Sequence, residues 1–193
     1  MDVKKFIEQS LKESAETKIK ILENCSNEIE KAIEAIVLSI NNRGKILFCG
    51  NGGSAADAQH LATEFMIRLS HDIQRPAIPA IALTTDSSNL TAGGNDIGFE
   101  NVFARNVEGL GNKGDILISI STSGNSGNII NAVHKAKEKE ITVIGLLGKD
   151  GGKLKNIVDI PIVVPSENVQ RIQEGHITIG HILCESVERI LFE

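Results

Sequence analysis

Residues 45–65 read KILFCGNGGSAADAQHLATEF and join a short apolar run to a glycine-rich turn and an amphipathic stretch. A continuous apolar run of this length is typical of a strand buried on both faces of a parallel sheet. The glycines mark a turn, and the residues after it carry the spacing of a helix. The stretch therefore predicts one strand–turn–helix unit.

The same unit recurs along the chain. Further strand-like runs lie at 76–85, 115–122, 141–148 and 157–165, and amphipathic stretches lie at 54–70, 98–110, 126–139 and 168–192. Buried strands that alternate with helices are typical of a doubly wound α/β fold. We expect a parallel sheet of about five strands flanked by helices, in one domain spanning 1–193.

Residues 3–41 form a long helical segment in which apolar residues recur at three and four positions. A straight helix of that length would extend about 58 Å, whereas a compact domain of this size has a radius of gyration of about 16 Å. Two alternatives remain. The segment folds back as a helical hairpin broken near residues 24–27, or it protrudes and packs on another copy of the chain. We favour the second, and so expect an oligomer.

Composition excludes several classes of protein. The net charge is −5, only 3% of the 193 residues are aromatic, and Trp and Tyr are absent, which argues against nucleic-acid binding. The three cysteines, Cys25, Cys49 and Cys184, have no zinc-site spacing and suit reduced thiols. No apolar run approaches the length of a membrane span and no secretory signal is evident. We expect a cytoplasmic protein with no membrane partner.

The loop GNGGSAAD (50–57) follows the first strand, at the sheet edge where ligands of such folds bind. Glycines before a helix allow backbone N–H groups to approach an anion closely. The alternative is a capped turn with Ser54 as the N-cap. Both remain open, although the pattern matches neither the dinucleotide motif nor the P-loop.

The loop STSGNSGN (121–128) follows the third strand and carries four hydroxyl groups, on Ser121, Thr122, Ser123 and Ser126. A helix cap needs one hydroxyl, not four. Many donors without a basic residue suit a phosphate monoester held by hydroxyl and backbone N–H groups. We therefore predict a phosphate site here.

His60 and Glu64 lie four residues apart, so both project from one helical face and could reach one metal ion or form a surface ion pair. In the last helix His176 and His181 are either packing residues or site residues. Gln173 and His181 are about 12 Å apart along a regular helix. For both to bind one metal, the helix must deform or the site must join two subunits.

The segment GGND (93–96) after the second strand is a loop signal. Asn95 and Asp96 could reach substrate hydroxyls from there, and a simple Asx turn is the alternative.

Taken together, six ordered stretches covering nearly the whole chain resemble the bacterial phosphoheptose isomerases of the sugar isomerase (SIS) domain superfamily. They are GNGGSAADAQHLATEF, RPAIPAIALTTD, GNDIGFENVFARNVEGLG, ISTSGNSGN, GKDGGK and RIQEGH. The resemblance implies a five-stranded SIS domain and a homotetramer with active sites at subunit interfaces. It also implies interconversion of sedoheptulose 7-phosphate and glycero-manno-heptose 7-phosphate through a cis-enediol, the first step toward nucleotide-activated heptose.

The resemblance also implies residue roles. Glu64 is the base for the carbon proton and His181 serves the oxygens, and one Zn²⁺ per subunit is bound by His60, Glu64, Gln173 and His181. The substrate-binding residues are Asn51, Gly52, Gly53, Ser54, Glu64, Asn95, Asp96, Ser121, Thr122, Ser123, Ser126 and Gln173.

One departure is Gln170, where the family motif often has aspartate, and it puts the exact substrate in question. The main competing function is that of a related non-catalytic SIS scaffold that associates with the replication initiator. That relative lacks the catalytic pair at the positions of Glu64 and His181, both of which are present here. Other SIS enzymes fit less well because no CBS domain is present, and a sugar-phosphate sensor fits less well because no DNA-binding segment is evident.

Overall fold

Five parallel strands form one sheet in the computed structural model, which describes every residue from Met1 to Glu193. The strands are β1 (Ile46–Gly50), β2 (Ala80–Ala82), β3 (Ile116–Ser121), β4 (Thr142–Gly148) and β5 (Ile160–Val164). Their order across the sheet is β2-β1-β3-β4-β5. The register pairs Ile46 with both Ala80 and Ile116, so β1 lies between β2 and β3. The predicted doubly wound α/β class is confirmed.

Six helices cover the two faces of this sheet. They are α1 (Val3–Asn41), α2 (Gly53–Met66), α3 (Ser87–Asp96), α4 (Val102–Leu110), α5 (Gly127–Glu138) and α6 (Val169–Phe192). Single 3₁₀ turns occupy 99–101 and 154–156. None of the helices combines the length and the apolar character that crossing a membrane requires.

The core is split by the sheet into two apolar clusters. The larger has 26 buried residues and lies against α1, α2 and α6; the smaller has 15 and lies against α4 and α5. Every residue of β1 and of β3 is buried. This is why β1 reads as a continuous apolar run, whereas β3 also buries two serines, Ser119 and Ser121. Cys25, Cys49 and Cys184 are buried and unpaired, as expected for reduced thiols.

The first helix is continuous over 39 residues, so the hairpin alternative is wrong. Its polar middle does not break it, because Asn24 and Ser26 donate to the carbonyls of Lys20 and Leu22 within the helix. Cys25 packs inward, and its thiol lies 3.3 Å from the carbonyl of Val163. The buried residues of α1 begin only at Thr17, so its first turns extend beyond the domain.

Two segments differ from the sequence-based prediction. The second strand is confined to Ala80–Ala82 rather than 76–85, because Pro76 and Pro79 lack the N–H groups that a longer ladder needs. The segment 93–96, expected to be a loop, forms the end of α3 (Ser87–Asp96) instead. Asp86 caps this helix by accepting a hydrogen bond from the backbone N–H of Asn89 at 3.0 Å.

Candidate active site

The loops after β1 and β3 lie side by side at the carboxyl edge of the sheet. The chain leaves β1 toward β2 on one side and continues from β3 toward β5 on the other, so β1 and β3 flank the point where the strand order reverses. In open α/β sheets this crevice is where ligands bind. The topology therefore brings together the two loops that the sequence singled out separately.

The first loop depends on glycine. Gly52 has φ 57° and ψ −120° and is the residue that caps α2, without any side-chain hydrogen bond. The prediction of Ser54 as the N-cap is wrong, since Ser54 lies inside the first turn and is buried. A Cβ on Gly50 would come within 2.5 Å of the carbonyl oxygen of Ser54. The N–H groups of Ser54 and Ala55 donate to the carbonyls of Asn51 and Gly52 at 3.0 Å. The N–H of Gly53, which has no side-chain cap, is therefore the one left for an anion or a sugar oxygen.

A reciprocal amide pair joins the two loops. Asn51 Nδ2 donates to Asn128 Oδ1 at 2.9 Å, and Asn128 Nδ2 donates to Asn51 Oδ1 at 2.8 Å. Asn51, predicted to lie along the sugar, therefore uses one amide N–H and its amide oxygen in hydrogen bonds with the other loop. Sequence reasoning missed Asn128, because a contact across 77 positions leaves no local signal.

The hydroxyl-rich loop has the features expected of a phosphate site. Ser126 precedes α5 but makes no capping hydrogen bond; its Oγ lies 3.2 Å from Oγ of Ser121. Ser123 Oγ accepts from the backbone N–H of Asn125 at 3.2 Å, and Thr122 is half-buried beside it. The hydroxyl of Ser126 and the first N–H groups of α5 are thus left for a ligand. None of these contacts involves a basic side chain.

The segment GKDGGK (148–153) supports that loop from behind. Leu154 donates its N–H to the carbonyl of Gly124 at 3.0 Å, and Lys153 donates its N–H to Asn125 Oδ1 at 3.1 Å. Gly124 has φ 64°, and a Cβ there would lie 1.9 Å from the carbonyl oxygen of Gly151. Only glycine allows the two loops to pack so closely.

His60, Glu64 and His181 meet where α2 lies against α6. The Nε2 atoms of His60 and His181 are 2.8 Å apart, with ring centroids 5.1 Å apart. His60 Nε2 is also 3.5 Å from Oε1 of Glu64, whose side chain is only 16% exposed. The structure therefore brings together three of the four predicted metal ligands, including both predicted catalytic residues.

Gln173 lies elsewhere within the same chain. It sits over the start of α2, where a Cβ on Gly53 would come within 2.3 Å of its Nε2. His60 is two turns further along α2, a distance of about 10 Å. Helix α6 is regular from Val169 to Phe192, so it does not deform to bring Gln173 and His181 together.

The ligand types of this donor set suit a zinc ion, but the distances between them within one chain do not. Imidazole and carboxylate are common zinc ligands, and two imidazole nitrogens on one tetrahedral zinc are about 3.3 Å apart. The two rings must therefore separate slightly from their 2.8 Å contact. In the single chain, His60, Glu64 and His181 are neighbours, but neither they nor any other three His, Cys, Asp or Glu side chains are gathered closely enough to hold a metal.

Asn95 and Asp96 lie at the end of α3, not in a loop, and both are exposed. Asn95 Nδ2 donates to Asp96 Oδ1 at 2.6 Å. They stand apart from the contacts that join the other predicted residues. Gln170 is exposed in the first turn of α6, where its backbone N–H donates to Oδ1 of Asn168.

His176 is a packing residue, unlike His181. It is fully buried, and its Nε2 donates to the carbonyl of Leu147 at 2.9 Å, while Nδ1 has no partner. Burial lowers the pKa of His176 to about 4, although the bond to Leu147 acts in the opposite direction. Burial also raises the pKa of Asp57, one turn before His60, and the nearby imidazole partly opposes this.

Known proteins similar to this chain agree on one family. The model of the SIS domain matches residues 10–148. The phosphoheptose isomerase of Clostridium acetobutylicum is 52% identical over 192 residues, covering 98% of this chain and 97% of that protein. The phosphoheptose isomerase of Sulfurimonas denitrificans is 51% identical with the same coverage of both chains.

Solved structures give the same result. A phosphoheptose isomerase from Francisella tularensis superimposes with a TM-score of 0.93 at 41% identity, covering 98% of this chain and all of that one. The phosphoheptose isomerase from Neisseria gonorrhoeae gives a TM-score of 0.90 at 41% identity, covering 97% and 99%.

Proposed function

The chain belongs to the SIS domain family and, within it, to the phosphoheptose isomerases, and on that premise we propose its reaction. It converts D-sedoheptulose 7-phosphate to D-glycero-D-manno-heptose 7-phosphate by way of a cis-enediol. The product enters the synthesis of nucleotide-activated heptose for surface polysaccharide, in the cytoplasm where sugar phosphates are made.

The observation that carries this proposal is the contact of His60 with both Glu64 and His181 where α2 lies against α6. Exchange of an aldose with a ketose needs a base for a carbon-bound proton and a group that moves protons between neighbouring oxygens. Glu64, poorly exposed and fixed on a helix, removes the carbon proton. His181 protonates and deprotonates the oxygens, since a neutral imidazole both donates and accepts.

The phosphate is held at a distance from this chemistry. Ser121, Thr122, Ser123 and Ser126 and the first N–H groups of α5 bind it. Asn51, Gly52 and Gly53 lie along the sugar. Ser54 is buried, and Asn95 and Asp96 stand apart from the other predicted residues in the single chain. Held at one end, the substrate presents its carbonyl end to Glu64 and His181 without searching for an orientation.

Zinc is the proposed cofactor, one ion per subunit, held by His60, Glu64, Gln173 and His181. Bound there, it would supply Lewis-acid polarisation of the carbonyl oxygen. Contact with the zinc ion would lower the basicity of the Glu64 carboxylate, so its proposed roles as ligand and as base are in tension.

A homotetramer with active sites at its interfaces fits two features of the single chain. Gln173 lies two turns from the histidines on a regular helix, so a neighbouring subunit is the source from which the fourth ligand can come. The first turns of α1 also expose Phe6, Ile7 and Leu11, each more than half accessible.

The proposal is tested by turnover of sedoheptulose 7-phosphate, with arabinose 5-phosphate as the competing substrate. We expect turnover of the heptulose alone, and a loss of at least 100-fold in Glu64→Gln and His181→Gln, because acid–base groups contribute about 10²–10⁴-fold. Glu138→Gln and His134→Gln, on the exposed face of α5, are the matched controls. Well-folded protein that turns over neither sugar with zinc supplied would reject the isomerase and favour the non-catalytic scaffold.

A further inference from the structure

A buried ion pair lies just below the His60–Glu64–His181 cluster. Arg75 Nε donates to Oε1 of Glu188 at 2.6 Å, and the two side chains are only 2% and 1% exposed. It is the one ion pair of the chain in which both side chains are almost completely buried; Lys45–Asp115 comes next, with exposures of 20% and 3%. Burying two charges is costly, and replacing such a pair by apolar residues is often neutral or stabilising. A role other than stability is therefore worth testing.

The rest of the Arg75 guanidinium holds the end of α2. Its NH2 group donates to the carbonyl of Glu64 at 2.8 Å, and its NH1 group donates to the carbonyl of Phe65 at 2.9 Å. These are among the last carbonyls of the helix, which have no partner within it. A positive charge there is also favoured by the helix dipole. The residue gripped by Arg75 is thus the predicted catalytic base itself, through its backbone.

Glu188 belongs to α6, the helix that carries His181. It lies seven positions, or about two turns, beyond His181 and so on the same face of the helix. The Arg75 side chain consequently connects the end of α2 to α6 about two turns, or about 10 Å, beyond the level at which the two histidines meet.

Helices α2 and α6 also pack closely against each other. A Cβ on Gly180 would come within 2.6 Å of the Leu61 side chain, so α6 approaches α2 through a glycine. This contact fixes the distance between the two helices. Directed hydrogen bonds from one guanidinium to both helices add resistance to sliding along their axes, because the planar fork has a fixed geometry.

We propose that Arg75 and Glu188 are positioning residues that set the axial register of α2 against α6, and with it the spacing of His60 and His181 and the aim of Glu64. The inference rests on the proposed function in taking these three side chains as the reacting and metal-binding groups. Sites of this kind tolerate errors of only about 0.5 Å. Mutation of residues that hydrogen-bond to metal ligands and orient them typically lowers metal affinity or activity by about 10–100-fold.

The test compares three variants. Arg75→Lys keeps the charge and loses the fork. The double variant Arg75→Met, Glu188→Leu removes both charges at similar volume, which protects the fold. The matched control is Lys45→Met, Asp115→Asn, which removes the next most buried pair. Lys45 and Asp115 precede β1 and β3, so that pair lies at the opposite edge of the sheet from the crevice.

Three quantities are measured on each protein: thermal midpoint, Zn²⁺ affinity by competition with a chromophoric chelator, and kcat and KM for the heptulose phosphate. We expect both Arg75 variants to bind Zn²⁺ at least tenfold more weakly and to lose at least tenfold in kcat. KM should change less than threefold, because the phosphate loop belongs to other elements. The control should lose thermal stability with Zn²⁺ affinity unchanged.

The histidine contact gives a readout that needs neither metal nor turnover. In chelator-treated wild-type protein, imidazole ¹⁵N spectra should show a hydrogen bond between His60 and His181, and in the Arg75 variants this bond should be lost. That result supports the positioning role of Arg75 and Glu188 even if the wild type proves not to be an isomerase. Two results would overturn the proposal and leave Arg75–Glu188 a structural pair. One is retention of the histidine bond in the double variant, and the other is wild-type Zn²⁺ affinity and kcat in a double variant with the wild-type thermal midpoint.

Discussion

Gly124 shows at the scale of one residue how the site depends on backbone freedom. Its φ of 64° is costly for any residue with a Cβ, by about 1–2 kcal/mol, and the carbonyl of Gly151 occupies the space that a Cβ would need. The STSGNSGN stretch pointed to the glycine turn, but not to its partner. That partner, GKDGGK, is more than twenty positions away, and its supporting role follows only from the fold.

Gly124→Ala should therefore push the loop 121–128 away from residues 151–152. We expect KM for the sugar phosphate to rise at least tenfold with a smaller change in kcat, and stability to fall by about 2 kcal/mol. Steady-state kinetics and urea unfolding check both. Gly109→Ala is the control, because a Cβ there meets nothing within 4 Å. Equal kinetic effects in the two variants would contradict this account of the loop.

His176 makes stability depend on pH. Its pKa is lowered by burial to about 4 from an ordinary 6.5, so the unfolded chain binds a proton that the folded protein resists. Stability from this group is complete above pH 6.5 and falls as the pH drops toward 4, by about 2 kcal/mol at pH 5.

The urea midpoint of His176→Gln should accordingly fall less between pH 7.5 and pH 5 than that of the wild type. The control is His134→Gln, since His134 is exposed. The explanation fails if the wild type and His176→Gln lose the same stability over that interval.

At the scale of elements, the sequence pattern predicts the buried strands, but it misses a helix that depends on a single capping residue. The strands β1, β3 and β4 are close to their predicted bounds because burial on both faces leaves a continuous apolar run. Helix α3 (SSNLTAGGND) was missed, since it is built from weak helix formers and has no buried residue. Its one signal is Asp86, which a search for N-caps before polar segments would have found.

Helix α1 carries the prediction at this scale. Ile7 and Leu11 are exposed, whereas the contacts of this part of α1 with α6 are made by Ser10 and Glu13 toward Arg171. Leu11→Glu should therefore leave the fold intact while weakening oligomers. Light scattering after gel filtration should show tetramer for the wild type and smaller species for Leu11→Glu. Lys12→Glu, on a neighbouring exposed position, is the control. A wild-type monomer, or an unchanged tetramer in Leu11→Glu, would contradict the assembly or this role of α1.

At the scale of the whole molecule, topology explains why separate motifs converge. Strand alternation predicts the class of fold, and the reversal between β1 and β3 brings the two loops together. The pairing of Asn51 with Asn128 and of His60 with His181 could not be read from the sequence, because both depend on helix packing across long separations. The separation of Gln173 from His181 was predictable, because it needs only the rise of a regular helix.

A site completed by a neighbour predicts subunit complementation. Glu64→Gln and Gln173→Ala should each be inactive alone. If Glu64 and Gln173 of one site come from different chains, equal mixing with subunit exchange should restore about one quarter of wild-type activity. Unmixed variants kept under the same conditions are the control. Activity that stays at the background of the unmixed proteins would show that each chain completes its own site.

The central claim is that Glu64 exchanges a carbon-bound proton of a heptose phosphate. Its most direct test is turnover of sedoheptulose 7-phosphate in D₂O, followed by NMR of the product. We expect the wild type to place solvent deuterium on C2 of the aldose product, and Glu64→Gln to form neither product nor exchanged substrate. Deuterium incorporation by Glu64→Gln at the wild-type rate would show that another residue is the base.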